Sequence, residues 1–194
     1  MQESKAHLRA AILSARRAVT PDVRDAEADA LRKRLVEMTR PGDTVCAYVP
    51  VGSEPGSPAL LDALVAAGAR VLLPVARADA AGVPVPLNWG EYRGVLVAAR
   101  FGLREPPEPW LSAEAIGAAT TVVVPALAVD RDGVRLGRGA GFYDRSLPLA
   151  DPEARLVAMV RDDEVVDRLP GEPHDISMTH AVTPGQGLVR LGRH

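Results

Sequence analysis

TVCAYVPVGSEPGSPALLDALVAAGARVLLPV, residues 44–75, is the stretch that decides the fold. Residues 44–49 form a short apolar run that reads as a strand. Ser57-Pro58 then marks a helix start, with proline where its missing N–H costs nothing. Leu60, Leu61, Leu64 and Val65 give that helix an apolar face, and Gly68 ends it. A second apolar run, 70–75, follows at once. Strand, helix and strand within about thirty residues make a βαβ unit, whose strands pair in parallel through a right-handed crossover.

Working outward, residues 121–125 (TVVVP) and 156–160 (LVAMV) repeat the near-continuous apolar pattern without polar alternation, as strands buried on both faces require. Upstream, Leu8, Ala11, Ile12, Ala15 and Val19 recur at helical spacing, and a second stripe runs through Ala26, Ala30, Leu31, Leu35 and Met38. Thr20-Pro21 separates the two helices and Pro41-Gly42 closes the second. Residues 82–109 are rich in Pro and Gly and predict short strands at 83–89 and 95–98, then an irregular segment at 101–107. With no repeat and no linker-like tract, the expectation is one domain over 1–194. Its fold class is α/β, a three-layer α/β/α arrangement with a mostly parallel, Rossmann-like central sheet and a helical N-terminus.

The chain has 194 residues, 47% of them apolar and 25% charged, the balance of a globular protein. Twenty-three basic against 25 acidic residues leave a net charge of −2, with no basic block to follow a phosphate backbone, so nucleic acid is not an expected partner. Arg32-Lys33-Arg34 sits among Glu27, Asp29 and Glu37 and reads as a solvated helix face. The first residues lack a secretory signal and no run reaches membrane-spanning length, so no membrane partner and a cytoplasmic, monomeric protein are expected. The single cysteine, Cys46, lies in the first apolar run and reads as a small buried hydrophobe. Trp89 and Trp110 could line a ligand groove but read better as core.

Chemistry concentrates in residues 122–145, VVVPALAVDRDGVRLGRGAGFYDR. A buried strand ends near Pro125. A loop follows, and Gly137, Gly139 and Gly141 then alternate before a segment able to start a helix. Such glycines free the backbone for positive φ and let successive N–H groups converge on one anion, while Arg135 and Arg138 add full charges. A polyphosphate suits this cradle, and Asp144 could hold the magnesium that accompanies a triphosphate. Taken alone, the glycine pattern fits a tight turn equally well. Its place beyond the carboxyl end of a parallel strand favours a ligand. It has neither the Gly-Lys-Ser/Thr of a Walker loop nor the spacing of a dinucleotide fingerprint.

Over most of its length the chain resembles the 5-formyltetrahydrofolate cyclo-ligases, also called methenyltetrahydrofolate synthetases. The resemblance rests on Lys5 with Arg9, Tyr48-Val49-Pro50 followed by Glu54, Phe101-Gly102-Leu103 before Glu105-Pro106, the block from Val124 to Arg145, and Leu169-Pro170 through His174-Asp175 to Val182-Thr183. RLGRGAGFYDR, residues 135–145, is its most specific part. The resemblance implies ATP- and Mg²⁺-dependent ring closure of a reduced folate, with ADP and phosphate released. It implies that Lys5 and Arg138 are the catalytic cations. Nucleotide would be bound by Lys5, Arg9 and the run Arg135, Leu136, Gly137, Arg138, Gly139, Ala140, Gly141, Phe142 and Tyr143. The folate would meet Val49, Glu54 and Arg138 through Phe142, and Asp144 and Asp175 would hold Mg²⁺.

Beside that stands the plainer reading of each residue. Lys5 and Arg9, at i and i+4, project from one helix face and can meet one anion, or can simply be two solvated charges. Glu54 lies where the strand gives way to the next helix and reads as a loop carboxylate unless it orients folate nitrogens. Phe142 and Tyr143 could be core aromatics, and Asp175 a turn residue. The chain departs from the family at Ala140, often Gly or Lys, at Phe142, often Tyr, at Val129, often Phe, and at Ser57, often Thr; none removes a charge assigned above. Other readings are a non-catalytic folate- or nucleotide-binding relative, and a sugar-phosphate isomerase or ligand-sensing α/β domain, which leaves Lys5 and Arg9 unexplained. A metal hydrolase on His174-Asp175 is weaker still, because His7, His180 and His194 lack ligand spacing.

Overall fold

The computed structural model describes residues 4–172 and 175–192. In chain order its helices and strands are α1 (Lys5–Ala18), α2 (Pro21–Glu37), β1 (Thr44–Cys46), α3 (Ala59–Ala66), β2 (Arg70–Val75), β3 (Asn88–Glu91), β4 (Val97–Ala98), β5 (Arg104–Glu105), β6 (Thr121–Pro125), β7 (Ala128–Asp130), β8 (Arg135–Leu136), α4 (Phe142–Ser146), β9 (Arg155–Met159), β10 (Val165–Val166), β11 (His180–Thr183) and β12 (Gly187–Arg190). The central sheet runs β12-β11-β9-β6-β1-β2-β3. Its five inner strands are parallel, and β3 and β12 pair antiparallel at the two edges. The βαβ unit predicted from residues 44–75 is β1-α3-β2, in register Thr44 to Arg70 through Cys46 to Leu72.

Alternate residues of the inner strands supply two cores. Val45, Val71, Leu73, Val123 and Val157 pack under Leu31 and Leu35 of α2 and Leu60, Leu61 and Leu64 of α3. Cys46, Leu72, Val122, Val124 and Ala158 face the other way, toward Trp89, Ile116 and Leu147. Helices thus cover one face. On the other, the 3₁₀ turns Ala113–Ala118 and Leu147–Leu149 with the five-residue α4 do the same work, so this layer is thinner than the expected α/β/α pattern. Trp89 is buried there; Trp110 is half-buried, with the Arg77 guanidinium 4.3 Å from its ring centre.

Both N-terminal helices form near their expected limits but bury different faces. In α1, Ala11 and Ala15 are exposed; Leu8, Ile12 and Leu13 pack on Leu127, Leu136 and Leu169, and the one fully buried residue is Arg16. In α2 the stripe is Ala28, Leu31 and Leu35, with Ala26 exposed. Alanine is apolar but too small to anchor a helix, so larger side chains and a charged partner set the rotation. Residues 126–136, read as a plain loop, contain the β7–β8 hairpin, which β10 extends to three strands. The expected strand at 83–89 is confined to β3, which begins at Asn88, with a single bridge from Pro84 to Ala78.

From β1 the chain goes to β2 on one side, then crosses to β6 on the other, and both neighbours pair with β1 in parallel. Strand order therefore reverses at β1 and β6. Loops leaving their carboxyl ends diverge there and open a crevice, the place where open parallel sheets bind ligands.

Candidate active site

That crevice holds a cavity of about 230 Å³, between the segments after β1 and β6, α1 and the glycine-rich loop. Lys5, Arg9, Val49, Glu54, residues 135–143, Asp144 and Asp175 all line it, so every predicted site residue shares one cavity. Pro173 and His174 lie outside the described residues.

Helix α1 begins at Ser4, whose Oγ accepts the His7 N–H at 3.2 Å, and this start places Lys5 and Arg9 one turn apart over the cleft. Lys5 Nζ lies 3.2 Å from Glu172 and 3.9 Å from Asp175. Arg9 Nε donates to the Gly137 carbonyl at 2.8 Å. Gly139 has φ +97°, and a Cβ on it would lie 3.6 Å from the Arg9 guanidinium. Gly141, at φ +78°, is the residue before α4, and a side chain there would strike Arg145. Gly137 has no positive φ; its part is the carbonyl that holds Arg9. Five residues of α4 carry little macrodipole, so attraction for an anion rests on the cations rather than on the helix end.

Each cation is met by a carboxylate or a carbonyl. Arg135, nearly buried, pairs with the half-exposed Asp144. Arg138 Nε lies 3.3 Å from Glu54 Oε1, with the Arg138 side chain 48% exposed and that of Glu54 13%. Burial raises the Glu54 carboxyl above its ordinary range, against the opposing pull of the Val51 N–H and Arg138. Burial likewise raises Tyr48 and Tyr143, so both phenols keep their protons, and pushes the Cys46 thiol up to about 12, which leaves it inert. A cleft of paired charges with exposed partners can trade its internal carboxylates for phosphate oxygens at modest cost.

Arg16 and Tyr48 also line the cavity, and the sequence reading gave neither a site role. Arg16 is seven residues past Arg9 on the same face of α1; its Nε and Nη2 donate to Glu164 at 2.6 and 2.7 Å, and Nη2 also to the Ala126 carbonyl at 2.8 Å. Tyr48 precedes Val49 and is buried. The signal for Arg16 was the spacing 5, 9, 16, which keeps three cations on one helical face. Trp89 and Trp110 do not line the cavity.

Residues 1–184 match the 5-formyltetrahydrofolate cyclo-ligase family. The chain is 64% identical over 189 residues to a protein of Mycolicibacterium smegmatis named 5-formyltetrahydrofolate cyclo-ligase, covering 97% of each. It is 31% identical over 176 residues to the Escherichia coli protein of the same name, covering 88% of this chain and 95% of that one. Among solved structures, 5,10-methenyltetrahydrofolate synthetase of Aquifex aeolicus superposes with a TM-score of 0.76 at 25% identity, over 98% of this chain and 93% of that one. A synthetase of the same name from Mycoplasma pneumoniae gives 0.70 at 18% identity, over 91% and 96%, and so shares the fold.

Proposed function

The chain belongs to the 5-formyltetrahydrofolate cyclo-ligase family, an ATP-dependent enzyme that converts 5-formyltetrahydrofolate to 5,10-methenyltetrahydrofolate, and we propose that the cavity at β1 and β6 is where it does so. One observation carries this: the cations of α1, the glycine-rich loop and Glu54 come from three distant parts of the chain and line a single cleft.

In this reading the triphosphate lies against Lys5, Arg9, Arg135 and Arg138, with loop 135–143 around it. The folate lies on the side of Val49 and Glu54, and Arg138, already paired to Glu54, stands between the two. A formyl oxygen is a poor leaving group. Transfer of the γ-phosphoryl to it produces one that departs as phosphate when the neighbouring folate nitrogen attacks the formyl carbon. Lys5 and Arg138 act by charge neutralisation and alignment, the main resources of phosphoryl transfer. Asp144 and Asp175 suit magnesium, which usually takes one or two carboxylates and completes its shell with phosphate oxygens and water. Each of these carboxylates now faces a cation, Arg135 or Lys5, that the phosphates would claim. Bound there, the metal neutralises phosphate charge. No helix among the described residues is long and apolar enough to cross a membrane. Composition and the single cysteine support a monomer working in the cytoplasm.

The test mixes protein, 5-formyltetrahydrofolate, ATP and Mg²⁺ and follows the near-ultraviolet absorbance of the methenyl product together with ADP. Joint appearance, lost when any component is omitted, is the expected result. Product formation unaffected by Lys5→Ala and Arg138→Ala would remove this cleft from the reaction.

A further inference from the structure

Four buried side-chain atoms among the described residues have no hydrogen-bond partner: Arg16 Nη1 and the hydroxyls of Tyr48 and Tyr143, whose residues all line the cavity, and the core Trp89 Nε1. Folded proteins retain few such atoms, because each forfeits its hydration without return. Three in the wall of one cleft therefore point to a ligand that supplies what the protein withholds. Arg16 is 1% exposed, and Glu164 and the Ala126 carbonyl hold its guanidinium through Nε and Nη2, which leaves Nη1 as its one unpartnered nitrogen.

The chemistry of this wall narrows the ligand. Arg16 is neutralised by Glu164, so the floor offers N–H and O–H donors without net charge, a poor match for a triphosphate and a good one for a neutral carbonyl oxygen. Beside it Glu54 has one carboxylate oxygen on the Val51 N–H at 2.9 Å and the other facing the exposed Arg138. When Arg138 turns to phosphate, that carboxylate becomes an acceptor adjoining the donors. A donor floor beside an acceptor carboxylate is complementary to the 2-amino-4-oxo edge of a reduced pterin, where N–H donors adjoin a carbonyl oxygen.

We propose that Arg16 and Tyr48 bind the 4-oxo oxygen of the pterin and set selectivity for it, while Glu54 receives the neighbouring ring N–H groups. This rests on the folate lying on the Glu54 side of the cavity. Both phenols remain donors at neutral pH, because burial disfavours their ionised forms.

The experiment compares KM for 5-formyltetrahydrofolate with the Ki of its 4-amino-4-deoxy counterpart, which presents a donor where the oxygen was, in wild type, Tyr48→Phe and Arg16→Lys. Tyr48→Phe deletes only an unpartnered hydroxyl, so its thermal midpoint should be unchanged or higher, and it decides the question even if Arg16→Lys folds poorly. The expected result is a wild-type preference for the 4-oxo compound that falls about tenfold in Tyr48→Phe, with KM for ATP unchanged, the size of the net contribution of one neutral hydrogen bond. Wild-type preference retained by Tyr48→Phe, with folate turnover intact, overturns the assignment while leaving the cyclo-ligase reading in place. A wild-type protein that converts no 5-formyltetrahydrofolate overturns both.

Discussion

Asp162 and Glu54 each follow a parallel strand, β9 and β1, and each accepts at least one backbone N–H, yet their surroundings treat them oppositely. Asp162 takes bonds from the Thr183 hydroxyl and from the N–H groups of Gly185 at 3.0 Å and Gln186 at 3.1 Å. Against a desolvation cost, the hydrogen bonds from Thr183, Gln186 and Gly185 hold it below the ordinary carboxylate range. Glu54 has one backbone donor and a half-exposed arginine, and burial wins, raising it. Around the β11–β12 turn the protein satisfies its own polar groups. In the cleft it leaves acceptors and donors partly unmet. Polar satisfaction thus separates a carboxylate that holds the chain together from the one to which the proposal above assigns a ligand.

The same contrast runs between two arginine pairs, and its strongest test is there. Arg16 and Glu164 are both buried and bound through two parallel N–H···O contacts. Glu164→Ala would strand that guanidinium and should cost about 3–5 kcal/mol in urea unfolding, the range for breaking a buried pair by removing one partner. A cost under about 1 kcal/mol would place this pair with surface pairs and break the comparison. Next in size, Asp162→Ala should lose about 1–3 kcal/mol by leaving its donors without their acceptor, with kcat/KM for the folate unaltered. That loss should shrink as pH falls through the depressed Asp162 pKa, where protonation removes the wild-type advantage.

Arg138→Ala should behave in the reverse way. Its half-exposed pair contributes little to folding, so the unfolding midpoint should hold while kcat/KM drops at least about tenfold, the usual scale for a charge-assisted contact to a transferring phosphoryl. The smallest effect sharpens the comparison through its sign. The raised Glu54 carboxyl is a stability cost that begins as pH climbs past the ordinary carboxylate range and is complete above its folded-state pKa. Glu54→Gln should therefore gain stability relative to wild type between pH 4 and neutrality, measured as the difference in thermal midpoints, opposite to the trend for Asp162→Ala. Parallel trends would show that the cleft carboxylate is a structural one.

Much of this was legible along the chain. The runs at 44–49, 70–75, 121–125 and 156–160 are apolar stretches that only burial on both faces explains, and each contains a strand of the central sheet, although β1 stops at Cys46 and β9 at Met159. Of the residues that line the cavity, those of the loop at 135–145 stand out by their density of glycine and arginine, whereas Lys5, Arg9, Val49, Glu54 and Asp175 were picked out by the family resemblance, since spacing alone reads Lys5 and Arg9 equally as solvated charges. The β7–β8 hairpin was missed because strands of three and two residues are too short for periodicity to register. Arg16 was missed because an apolar stripe was expected to carry α1, and its partners stand 110 and 148 residues away.

By itself, then, the sequence determined the parallel α/β class, the βαβ unit and the place of a glycine- and arginine-rich loop beyond a parallel strand, since these follow from periodicity and turn chemistry within a few tens of residues. Only the tertiary structure decided which face α1 buries, which carboxylate meets which cation, and that three donors end without acceptors in one wall. Those are outcomes of strand order: the crossing from β2 back to β6 opens the crevice at β1, and groups far apart in the chain find or lack partners according to what that crossing brings within hydrogen-bonding distance.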